Sequence, residues 1–197
     1  EIAVIENATR AWDMAVYGYK FSPGDRVLLC RAEYVSNVIA LLQLKERHQI
    51  EIIVIDDDEY GQIDLVHLEQ ELAKGAEMVT LTHTPTSGGL INPAESVGTL
   101  CNAYNTFFVL DACQSIGQIP INVKEIGCQV LSATSRKYLR GPRGVGFLYV
   151  EESALDQIEP PFLDLRAATW TSDMGYEIVD GAKRFENWET NFAGKLG

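Results

Sequence analysis

The chain has 197 residues, 46% hydrophobic and 22% charged, with a formal net charge of −12. That length and composition suit a single globular domain with a sizeable core. The acidic balance argues against nucleic acid or an anionic membrane as partner, no apolar run reaches a membrane span, and the opening EIAVIENATRAW lacks the features of a signal peptide.

Short apolar runs alternate with amphipathic stretches. Residues 2–5 (IAVI) predict a buried strand. Residues 9–19 (TRAWDMAVYGY) place apolar side chains at helical spacing behind Thr9, a residue type that caps helices. A turn at 22–25 (SPGD) leads to a strand over 26–30 and a helix over 36–48. The β-branched run 51–56 predicts a strand, and 63–75 a helix closed at Gly75. After a strand over 77–83, the Pro, Gly and Ser of 84–93 (TPTSGGLINP) mark a loop. A helix follows over 93–105 with Pro93 at its first position. Strands over 106–112, 129–134 and 144–150 complete the series, with a short helical turn at INVKEIG. Beyond Glu159 the alternation lapses, and 181–197 suggests a terminal helix.

Strands apolar throughout and separated by helices predict an α/β fold: a mostly parallel central sheet with helices on both faces. Ligands of such sheets bind beyond the carboxyl ends of the strands. The unusual polar residues collect at those ends: Asn7 and Thr9, Tyr34, Thr84 and Thr86, Asp111 and Gln114, then Thr134, Arg136 and Lys137. The four cysteines (Cys30, Cys101, Cys113, Cys128) form no C-x-x-C pair, and His48, His67 and His83 are scattered. Neither a metal site nor a disulfide framework is expected, and reduced thiols suit the cytoplasm.

Alone, Asp111 reads as a turn-forming aspartate and Lys137 as a solvated lysine. Together, at the ends of two apolar strands, they suggest more. A carboxylate there is costly to bury without a partner. Pyridoxal phosphate (PLP) needs both groups, a lysine for its Schiff base and an acid for its ring nitrogen. Its phosphate needs a helix N-terminus, hydroxyls or an arginine, which residues 7–9 (NAT), Thr134 and Arg136 offer.

The stretch VLDACQSIGQIPINVKEIGCQVLSATSRKYLRGPRGVGFLYV (109–150) closely resembles the class V aminotransferase family of fold-type I PLP enzymes, which includes cysteine desulfurases, selenocysteine lyases and isopenicillin N epimerase. The resemblance runs from ENATRAW to AKRFENWE. It implies that Lys137 forms the Schiff base and shuttles the α-proton, that Asp111 pairs with the pyridine nitrogen, and that Gln114 bonds the phenolic oxygen. It places Ala8, Thr9 and Thr134 at the phosphate.

The sequence departs from the family's pattern at several places. Arg136 stands where a histidine often precedes the lysine, and it can still contact phosphate. Tyr34 stands where a histidine often stacks on the ring; tyrosine can stack but cannot relay protons in the same way. Thr86 replaces a frequent asparagine, and RFENWET lacks a Gly-Thr. The resemblance further implies a PLP-binding large-domain core over 1–158, with 159–197 leading towards a small domain outside this sequence, so the chain reads as a fragment. It implies an amino-acid substrate and a homodimer. The reaction stays open between transamination, C–S or β-elimination chemistry, and desulfuration. A diverged, non-catalytic binding or assembly module is the alternative.

Overall fold

The computed structural model describes residues 1–196. Seven strands form one sheet: β1 (Ile2–Ile5), β2 (Arg26–Cys30), β3 (Glu51–Ile55), β4 (Met78–Thr82), β5 (Phe107–Asp111), β6 (Val130–Thr134) and β7 (Gly146–Val150), in the order β1-β7-β6-β5-β4-β2-β3. The pairs from β3 through β2, β4 and β5 to β6 are parallel, and β7 runs antiparallel to both β6 and β1. Only β7 therefore opposes the common direction, and the carboxyl ends of the other six strands share one edge.

The helices divide between the faces, as expected. On one side α1 (Ala8–Val16) and α2 (Val35–His48) bury Trp12, Val16, Leu41 and Leu44 against Val27, Leu29, Val109 and Val130. On the other, α3 (Leu65–Leu72), α4 (Ala94–Ala103) and α5 (Val123–Ile126) bury Leu68, Val97, Cys101 and Ile126 against Leu28, Leu81, Phe108 and Leu131. Successive strand residues feed opposite cores. With both faces covered, β4, β5 and β6 are buried along their whole length, which is why they read as unbroken apolar runs.

Local chemistry moves several boundaries. Asn7, not Thr9, caps α1: its backbone is extended and its side chain accepts from Arg10 N. Asp64 caps α3 through Val66 N and His67 N, so that helix starts later than its apolar pattern; Gly75 lies in the following turn at φ 91°. Pro93 occupies the capping position of α4 rather than its first turn.

The region after 159 differs from expectation. A hairpin of β8 (Ala168–Ser172) and β9 (Gly175–Ile178) forms a separate sheet. In place of one terminal helix there are a 3-10 turn, Ala182–Phe185, and a short helix, α6 (Phe192–Leu196); Gly197 of the expected helix lies outside the described residues. Phe185 packs into the same core as β1 and α1.

Candidate active site

A cavity of about 580 Å3 opens at the carboxyl ends of the strands. Its walls come from β1, β2, β4, β5 and β6 and the links that follow them, as the parallel direction dictates. All nine residues expected at a cofactor line it: Ala8 and Thr9 on α1, Tyr34 after β2, Thr86 after β4, Asp111 and Gln114 from β5, and Thr134, Arg136 and Lys137 from β6.

The first turn of α1 forms one wall. It carries no acidic residue, so its free N–H groups and helix dipole favour an anion. It reaches this place because residue 146 is glycine. A methyl group there would fall 2.7 Å from Ala133 O, 2.8 Å from Asn7 C and 3.0 Å from Ala8 N. The antiparallel β7 thus passes directly beneath the cap of α1.

Lys137 stands on a tightly bonded turn after β6. Ser135 Oγ lies 2.5 Å from Pro142 O and 2.9 Å from Val145 O. Gly141 N donates to Ser135 O at 2.9 Å, and Arg140 N to Lys137 O at 3.0 Å. Arg140 has a left-handed backbone, φ 59°, uncommon outside glycine. Gly117, at φ 84°, backs the turn where a methyl group would meet Tyr138 C at 2.7 Å. The ammonium nitrogen of Lys137 lies 6.0 Å from the centroid of the Tyr34 ring, at the outer limit of a cation–π contact.

Asp111 closes β5 and is only 5% exposed. Its Oδ1 accepts from Cys113 N at 2.9 Å and its Oδ2 from Asn37 Nδ2 at 3.2 Å. Its carbonyl accepts from His83 N at 2.9 Å, which ties β5 to the loop after β4. Burial pushes the Cys113 thiol up, with Asp111 adding to the effect. Asp13 also lines the cavity; burial raises its carboxyl, opposed by Arg10 3.7 Å away.

The site includes residues that sequence reasoning passed over. Arg10, Thr82 and Cys113 line the cavity, and Asn37 and Glu33 support Asp111 from behind. Asn37 lies in the first turn of α2 on the face that buries Leu41 and Leu44, and that helical spacing is the one signal the sequence offered. Among the described residues no cluster of His, Cys, Asp or Glu is placed to hold a metal ion, and no helix is long and apolar enough to cross a membrane.

The sequence model of the family described as aminotransferase class-V matches residues 1–186. The chain belongs to this family. A probable cysteine desulfurase of Pyrococcus abyssi is 28% identical over the whole chain, which covers 49% of that relative. The apo structure of a cysteine desulfurase from Thermococcus onnurineus superposes with a TM-score of 0.92 at 28% identity, over 100% of this chain and 49% of that one. A variant of C-DES, solved with glycine covalently linked to its PLP cofactor, shares the fold at a TM-score of 0.88 and 22% identity, over 96% of this chain and 51% of that one. This class-V chain therefore spans about half the length of the relatives it matches.

Proposed function

We propose that this chain is the PLP-binding large domain of a class-V enzyme that acts on a cysteine-like amino acid. The observation that carries this reading is the convergence of Lys137, Asp111 and the N-terminus of α1 on one cavity. The donor set fits the cofactor. The Ala8 and Thr9 amides, the Thr134 hydroxyl and the Arg136 guanidinium would hold the phosphate. Asp111 would face the ring nitrogen, Gln114 the phenolic oxygen, and Tyr34 one ring face, with Thr86 on the opposing loop. When bound, pyridoxal phosphate supplies an aldehyde for amine exchange and an electron sink for the substrate's α-carbon. The Lys137 amine would hold the cofactor covalently, and its Nζ would then carry the α-proton.

The cysteine class rests on the names of the relatives that cover the whole chain. Desulfuration leaves alanine, the sulfur having passed to a thiol. Tyr34 favours a second reading, elimination, which leaves pyruvate, ammonia and sulfide, because a phenol cannot relay protons as imidazole does. The large-domain core is assigned to 1–158, with 159–197 leading towards a small domain. The exposed Val35, Ile39 and Leu42 along one side of α2 support a homodimer, and four free thiols suit the cytoplasm.

The test is the visible spectrum of the full-length protein after incubation with PLP and desalting, beside Lys137→Ala. A band retained by the parent and absent from the variant is expected. A band that survives in the variant, or none in the parent, overturns the reading. Product analysis with cysteine then separates alanine from pyruvate, and retention of PLP without turnover of any amino acid would indicate a binding module.

A further inference from the structure

Behind Asp111 lies a second carboxyl group that the site chemistry above leaves unused. Glu33, Asn37, Thr82 and Asp111 are each more than nine-tenths buried. All three hydrogen bonds to Glu33 reach the same oxygen. Its Oε1 accepts from Tyr34 N at 2.9 Å, from Asn37 Nδ2 at 2.9 Å and from the Thr82 hydroxyl. Its Oε2 is buried with no partner. The same Asn37 amide nitrogen donates onward to Asp111 Oδ2 at 3.2 Å. Among the described residues no ion pair includes Glu33 or Asp111.

Two carboxylates sharing one amide donor, without a cation paired to either, cannot both be charged at low cost. The two differ in how well a charge would be met: both Asp111 oxygens accept a hydrogen bond, whereas Glu33 Oε2 is buried with none, so the cost of burying a charge falls more heavily on Glu33. Burial pushes the Glu33 carboxyl up, and the charge of Asp111 adds to this against the hydrogen bonds from Thr82, Asn37 and Tyr34. The Cys30 thiol at the end of β2 is the other titratable group in reach; burial pushes it up, and Glu33 adds to this.

We propose that Glu33 is a positioning residue held as the neutral acid: it fixes Asn37, and through Asn37 it aims Asp111, leaving the negative charge beneath the cavity on Asp111 alone. This rests on reading the cavity as a PLP site. It differs from a capping role, because the Glu33 side chain links the start of α2 to the end of β5 through a buried amide.

The test uses full-length protein in the apo form, as wild type, Glu33→Gln and Glu33→Ala. Glutamine reproduces the shape and charge of a neutral acid. It is expected to bind PLP within about twofold of wild type, while Glu33→Ala binds about tenfold or more weakly. Apo-protein melts give a readout independent of the cofactor. A raised carboxyl contributes stability that is present below the ordinary glutamate range and lost as pH rises through its folded value. The melting temperature of Glu33→Gln should therefore gain on wild type between pH 5 and pH 8. A flat difference, or a Gln variant as weak as Ala, overturns the neutral assignment, and an Ala variant as tight as wild type overturns the positioning role. No PLP uptake by wild type would remove the reading of the cavity and with it the proposed role, while the melts would still report the charge state of Glu33.

Discussion

The Asn37 amide nitrogen stands between two carboxyl groups, 2.9 Å from Glu33 and 3.2 Å from Asp111. Replacing it tests the link from the other side. Asn37→Leu removes the donor and leaves the buried Asp111 Oδ2 without its partner, a loss of about 1–3 kcal/mol. Asn37→Asp adds a third carboxyl group to the cluster and should be less stable at pH 7 than at pH 5, because charge there is uncompensated. Urea unfolding at both pH values would check this; equal stability of Asn37→Asp at the two would count against it.

Gly146 and Gly98 make a contrasting pair. A methyl group at 146 presses on the cap of α1, whereas one at 98 would fall 1.7 Å from Ile126 O, between α4 and α5 and away from the cavity. Both alanine variants should lose stability, at least about 1–3 kcal/mol for Gly146→Ala and more for Gly98→Ala. Only Gly146→Ala should also weaken PLP binding beyond what its folded fraction explains. Calorimetric titration of both variants separates the two effects, and unchanged affinity at 146 would remove α1 from the phosphate site.

Tyr34 is 41% exposed, and the role proposed for it is to cover one face of the cofactor ring. Tyr34→Phe should keep PLP affinity, and Tyr34→Ala should lose about 0.5–1.5 kcal/mol of it. Loss in Tyr34→Phe would show that the hydroxyl matters instead.

Glu186 gives a prediction at acid pH. It accepts from Val4 N at 3.0 Å and from Arg166 Nη2 at 2.8 Å, joining β1 to the segment beyond 159. Burial alone would raise its carboxyl; the Val4 amide and Arg166 outweigh that and hold it below the ordinary glutamate range. A depressed carboxyl contributes stability above its unfolded value that is lost as pH falls through the folded one. The advantage of wild type over Glu186→Gln should therefore be largest near neutrality and shrink on acidification through the carboxylate range. A gap that widens towards acid in parallel thermal melts would contradict this.

The strand ends were legible because parallel sheets bury their strands and leave polar residues only where the chain emerges. That one rule brought Asp111, Thr134 and Lys137 into the same cavity. The support behind them was not legible. Glu33 precedes a helix and Asn37 sits within one, and both residue types are ordinarily solvated there; only the three-dimensional approach of α2 to β5 buries them. The hairpin β8–β9 escaped notice because it has little buried face: Thr169, Trp170, Thr171 and Ser172 are all exposed, so no inside–outside alternation marks it.

The antiparallel β7 has a consequence for the order of assembly. Its partner β1 lies at the opposite end of this stretch of chain, with Ile5 paired to Gly146, whereas β2 to β6 are joined by successive short crossovers. During synthesis the middle of the sheet can collapse while β1 has no partner, and the long closure between residues 5 and 146 comes last. The cap of α1 rests on that closure. The proposed anion cradle is thus expected to be the latest part of the cavity to mature, a nascent chain presenting Lys137 and Asp111 before the cap of α1 is in place.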